Sequence, residues 1–105
     1  MLDLTIYKKR YYEVQINENE NVNLEPPKRK QLKKILSLTK TINKENLSDN
    51  DIDALYEAAL IAFNKNKENK VFSQDDIDDI LGLDALYAFF DGYYNWVYEN
   101  VNQKN

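Results

Sequence analysis

A mostly helical α+β fold is what this sequence predicts: a small N-terminal β-hairpin or meander packed on a bundle of three main helices plus one short helix. Three observations predict it. Period-two alternation of apolar and polar residues is confined to residues 1–25. Four later segments repeat apolar residues at helical spacing, with start signals of the Pro and Ser/Asp kind ahead of them. Finally, seven of the twelve residues from Tyr87 to Tyr98 are aromatic, which is a heavy apolar load for one helix. A length of 105 residues fits one domain with a modest core and no staples.

The β element comes first. Leu2, Leu4 and Ile6 alternate with Asp3 and Thr5, and Tyr12, Val14 and Ile16 share one face beyond the basic corner Lys8-Lys9-Arg10. Asn17 to Asn21 is a turn run, because Asn tolerates left-handed backbone, and Val22 and Leu24 form a short return strand. Such a hairpin is marginal alone and must lean on helices. Pro26-Pro27 ends it. A basic helix is predicted over 27–42, with Leu32, Ile35, Leu36, Thr39 and Ile42 inward and lysines outside.

A second helix is predicted over 48–64, opened by Ser48 and Asp51 as a capping box and carried by Ile52, Leu55, Tyr56, Ala59, Leu60 and Phe63. Asn64 to Lys70 has no apolar residue and is expected to be a solvated linker. Ser73 repeats the cap logic for a short acidic helix over 73–81, with Gly82 expected as its left-handed C-cap. The aromatic helix follows over 84–102. Gly92 interrupts it at a cost of about 1 kcal/mol against alanine, with no visible reason.

At about 100° per residue the apolar positions of this last helix sweep roughly 200°, twice what a surface helix needs. Phe90, Tyr94 and Val97 are expected to face the core, together with Tyr87, Tyr98 and Val101. Leu86, Phe89, Tyr93 and Trp96 continue round the back, and the expectation is that a partner covers them. On that expectation, alanine at Phe89 and Trp96 weakens association and spares the fold.

Composition narrows the chemistry. With no Cys and no His there are no disulfides, no thiol chemistry, no imidazole base and none of the usual zinc ligands. No apolar run reaches the roughly 20 residues of a membrane span, and the start lacks the layout of a secretory signal, so a soluble cytoplasmic protein is expected. Asp49, Asp51 and Asp53 imitate the first ligands of a calcium loop. Ala54 and Leu60 then stand where glycine and glutamate belong, so helix-start acids are the better reading. Gly82 and Gly92 cannot build a phosphate loop. No catalytic, metal or cofactor residue is assigned, and the protein is expected not to be an enzyme.

Charge is divided along the chain. Residues 1–44 hold ten Lys/Arg against five Asp/Glu, and residues 45–105 hold four against thirteen. Lys28, Arg29, Lys30, Lys33 and Lys34 form a possible basic contact surface. It would serve either a small regulatory protein, nucleic-acid-binding or antitoxin-like, or contacts with acidic helices of this or another copy. A pI near 4.8 disfavours nucleic acid.

Taken in order, these features resemble a family. The β start ends in Leu24-Glu25-Pro26-Pro27-Lys28, and a basic helix runs from Lys30 to Leu38. Leu47 to Ile52 opens a helix, Val71 to Ile77 opens another, and an aromatic helix with Tyr94-Asn95-Trp96 closes the chain. This order resembles the short tail assembly chaperones of long-tailed bacteriophages and prophages of Gram-positive bacteria. The resemblance implies a non-enzymatic virion-assembly role in the host cytoplasm. Such proteins bind the tape measure protein, keep it soluble, help tail tube subunits polymerise round it, and leave before the tail is finished. Separately from the resemblance, the surplus aromatic arc and the opposed charges of the two halves suit an oligomer or head-to-tail self-association, and neither a membrane nor a cofactor is expected.

Overall fold

The computed structural model describes residues 1–4, 10–40 and 42–102, with the backbone alone at 100–102. Two antiparallel strands, β1 (Tyr12–Asn17) and β2 (Glu20–Leu24), precede four helices: α1 (Arg29–Thr39), α2 (Asp49–Phe63), α3 (Gln74–Ile80) and α4 (Leu83–Asn102). The fold is the mostly helical α+β arrangement that the patterning predicts. Residues 1–4 form no strand, and Leu2 and Leu4 are 71% and 69% exposed. Ile6, Lys8, Lys9 and Thr41 lie outside the described residues.

The hairpin pairs Tyr12 with Leu24 and Val14 with Val22, and its register shifts between Gln15 and Asn17. Asn17 makes the turn by accepting from the Asn19 N–H at 2.9 Å, the local bond that suits Asn to such positions. Val22 and Leu24 are fully buried, while Tyr12, Val14 and Ile16 are half-buried against the same core. The pleat thus turns its apolar face inward, as alternation requires.

α1 is shorter than the predicted 27–42 at both ends. Lys28 keeps extended backbone (ψ 158°), and its N–H is held by Gln31 Oε1 at 2.8 Å, so the first helical residue is Arg29. Thr39 donates to the Ile35 carbonyl at 3.0 Å and meets the Tyr94 hydroxyl at 2.6 Å, and the helix stops there. Ile42 packs on the core from beyond the helix.

α2 is the central post: α1, α3 and α4 all pack on it. Its buried face consists of Leu55, Ala58, Ala59, Ala62 and Phe63. Three alanines let neighbouring backbones come close, and Phe63 then fills the volume at the far end. Both capping boxes form. Ser48 Oγ accepts from Asp51 N–H at 3.1 Å while Asp51 accepts from Ser48 N–H, and Ser73 with Asp76 does the same.

The expected solvated linker over 64–70 is instead an ordered clamp. Asn66, 4% exposed, donates to the carbonyls of Phe63 and Lys70 at 2.7 and 3.0 Å and accepts from the Lys70 N–H at 2.8 Å. Asn64 grips both backbone groups of Phe72, at 2.6 and 3.1 Å. Asn69 takes a left-handed φ of 58°. The loop also joins β2, through Glu25 N–H to Lys65 O at 2.8 Å and Lys67 N–H to Asn23 O at 2.9 Å. Polar residues hold this segment because their amides replace the missing secondary-structure bonds. Asn66→Ala is therefore expected to cost about 1–3 kcal/mol, read from the urea midpoint. An unchanged midpoint would show that the loop holds itself.

Gly82 differs from expectation too. No glycine has positive φ, and α3 ends on Leu81 in extended backbone (φ −115°). The Gly82 carbonyl instead accepts from Leu86 N–H at 2.9 Å, so this glycine starts α4.

Candidate interaction surface

α4 is the element on which sequence and structure disagree most usefully. Leu86, Phe89 and Tyr93, expected under a partner, are buried by this chain itself, along with Phe90 and Val97. The reason is the reach of the hairpin and of α2. The Tyr12 ring lies 6.2 Å from Phe89, 6.3 Å from Tyr93 and 5.6 Å from Trp96 between centroids. Phe63 meets Phe89 at 5.0 Å, with Phe72 behind it at 5.5 Å. The greasy back of α4 is thus the aromatic centre of the core.

Trp96 is half-buried, and Arg10 covers it. The guanidinium sits 4.7 Å from the ring centroid and donates to the Trp96 and Val97 carbonyls at 2.6 and 3.0 Å. Arg10 thus ties the N-terminal segment to α4 through the Trp96 ring face and two carbonyls more than a turn before the helix ends at Asn102. The sequence marks Arg10 only as part of the basic corner Lys8-Lys9-Arg10, and its contact with Trp96, 86 residues away, leaves no sequence pattern.

Among the described side chains of α4, the apolar surface that stays outside is the other flank. Leu83 and Tyr98 are each 38% exposed, and Tyr87 and Tyr94 are half-buried. At 100° per residue these four positions fall within about 60° of one another, a narrow stripe along α4. Tyr94 stacks on Tyr98 at 6.4 Å and on Phe90 at 5.6 Å. Beside the stripe is a cavity of about 130 Å³ lined by Thr39, Ile42, Leu55, Tyr87, Phe90 and Tyr94. Lys44 stands at its edge, 4.9 Å above the Tyr87 ring and 4.0 Å from Asp91. The expected inward set is therefore split: Phe90 and Val97 are core, Tyr87, Tyr94 and Tyr98 border solvent, and the Val101 side chain lies outside the described residues.

Burial pushes the Tyr93 hydroxyl well above the ordinary tyrosine range, with Tyr94 adding to the effect. Tyr94 is raised by burial, and its bond to Thr39 partly offsets this. Both groups resist ionisation in the fold, whereas the unfolded chain gives up these protons near pH 10. Stability should thus hold up to that range and fall above it. Tyr93→Phe is expected to flatten the loss, as followed by thermal unfolding across alkaline pH. A profile identical to wild type would place the loss elsewhere.

The basic candidates Lys28, Arg29, Lys30, Lys33 and Lys34 are all exposed on or just before α1, and Lys34 reaches Glu57 at 4.0 Å. Among the described residues no group of three or more acidic side chains is placed to hold a metal ion. Asp49 and Asp51 stand in the first turn of α2, where the helix dipole favours them. Ser37 donates to the Lys34 carbonyl at 2.8 Å, and Ser48 and Ser73 are caps. Among the described residues no helix is long and apolar enough to cross a membrane. No protein-family model matches this chain, and comparison with curated proteins and with solved structures yields no match.

Proposed function

We propose that this chain is a tail assembly chaperone that binds the tape measure protein of a long-tailed phage, keeps it soluble and promotes tail tube assembly round it, without catalysis. The observation that carries the reading is the Leu83–Tyr87–Tyr94–Tyr98 stripe with its adjoining cavity. A tape measure protein is long and largely helical, and its apolar stripes aggregate unless they are covered. The stripe offers apolar ring and Leu83 surface of modest extent, with the Tyr94 hydroxyl already tied to Thr39 and the Tyr98 ring 38% exposed, suited to a contact that must later be released. Many such weak contacts along one client add up to firm capture, and they fail together once the row is broken. The order of elements from Leu24-Glu25-Pro26-Pro27 to Tyr94-Asn95-Trp96 supports the same reading.

The test is co-expression of the chain with a tape measure protein, followed by pull-down and a solubility assay. The wild type should keep the client soluble. Leu83→Ser/Tyr98→Ser, with helical content unchanged, should lose the client. Equal client solubility with and without the chain would end the proposal. The exposed basic face of α1 favours one rival, a nucleic-acid-binding regulator. Duplex DNA binding that collapses as salt rises would support that rival instead.

A further inference from the structure

We propose that the groove between α2 and α3 is the docking site for the basic face of α1 from a second copy of this chain. The groove, about 540 Å³ in volume, is lined by Ile52, Asp53, Tyr56 and Glu57 of α2 and by Gln74 and Asp78 of α3. Its floor is half apolar: Ile52 and Tyr56 are partly buried, and the Tyr56 hydroxyl is tied to the Leu81 carbonyl at 2.8 Å. Its walls are acidic. Asp53, Glu57 and Asp78 are exposed, and α3 carries four aspartates and no basic residue.

An apolar floor between acidic walls fits side chains with a hydrocarbon stem and a cationic head. α1 presents such a surface. Arg29, Lys30, Lys33 and Lys34 of α1, and Lys40 just past its end, are exposed, and the helix holds no acidic residue. At 100° per residue these five positions span about 140°, a continuous basic face. Arg29, Lys30 and Lys33 have no ion-pair partner among the described residues, and neither do Asp53 and Asp78. One pairing of this kind already exists within the chain, where Lys34 Nζ lies 4.0 Å from Glu57. Unspent positive charge on α1 and unspent negative charge on α2 and α3 make a second copy the complementary partner.

This inference deepens the self-association expected of a chaperone that lines up along a client. It is tested without the client, so its failure would leave client binding standing. Sedimentation velocity on the full chain should show association at low salt that weakens roughly tenfold or more as salt rises towards 0.5 M, since exposed charges are screened. Asp53→Lys/Asp78→Lys and Lys30→Glu/Lys33→Glu should each be monomeric. Mixed in equal amounts, the two variants should form a complex, because each supplies the surface that the other lacks. Far-UV circular dichroism checks the fold. If either variant loses helix, the neutral pairs Asp53→Asn/Asp78→Asn and Lys30→Gln/Lys33→Gln replace the reversals and should weaken association severalfold. A wild type that is monomeric at low salt, association that survives both changes, or a mixture that stays monomeric would each overturn the proposal.

Discussion

Phe89→Ala is expected to remove about 3–5 kcal/mol of stability, out of a total of roughly 5–15 for a domain of this size. Phe89 has four aromatic neighbours: Phe63 at 5.0 Å, Phe90 at 5.1 Å, Tyr93 at 5.2 Å and Tyr12 at 6.2 Å. Those rings come from β1, α2 and α4, so truncation opens a cavity where three elements meet. No alanine-sized collapse can restore all of those contacts at once. Urea unfolding followed by circular dichroism measures the loss. Tyr98→Ala is the control: that ring is 38% exposed, and its removal should change stability by about 0.5 kcal/mol or less. A Phe89→Ala protein as stable as wild type would return Phe89 to the surface, and with it the expectation that a partner covers the back of α4.

That contrast shows where the sequence was legible. Some local signals were reliable, although the alternation of Leu2 and Leu4 and the expected Gly82 C-cap were not. The Ser48 and Ser73 caps, the alternation of Tyr12, Val14 and Ile16, and the Asn-rich turn each depend on neighbours within a few residues, and each formed. The amount of apolar surface on α4 was legible as well. Its assignment was not, because coverage depends on what folds back across the helix. Tyr12 and Arg10 lie more than 80 residues from the ring they cover, and no periodicity reports such a contact. The loop over 64–70 differs from expectation for another reason, since its bonds are local: the asparagines look solvated in a row, yet Asn66 and Asn64 spend their amides on backbone groups three to eight residues away that would otherwise be buried unpaired. The interaction stripe shares the difficulty over coverage, since a wheel shows which residues align but not which flank the hairpin occupies.

Gly92→Ala should destabilise the chain by about 1–3 kcal/mol, against the usual rule. In an exposed helix interior this change gains about 1 kcal/mol, because alanine is the better helix former. Here a methyl group at position 92 would run into the Tyr12 hydroxyl. The phenol cannot simply swing away: its ring is packed against Phe89, Tyr93 and Trp96, and its backbone is paired to Leu24 in the hairpin. The glycine thus leaves a notch in α4 into which β1 presses its tyrosine, which accounts for a helix-weakening residue amid so many bulky ones. Removing the oxygen separates the two effects. In a Tyr12→Phe background the nearest remaining atom is the ring carbon that bore it, 3.1 Å from the added methyl, a contact that a small ring shift relieves. There Gly92→Ala should be neutral or stabilising, so urea midpoints of the four proteins should show a coupling of about 1–3 kcal/mol. Additive effects, or a gain in stability from Gly92→Ala alone, would mean that the ring yields freely and the notch does not set how the hairpin seats on α4.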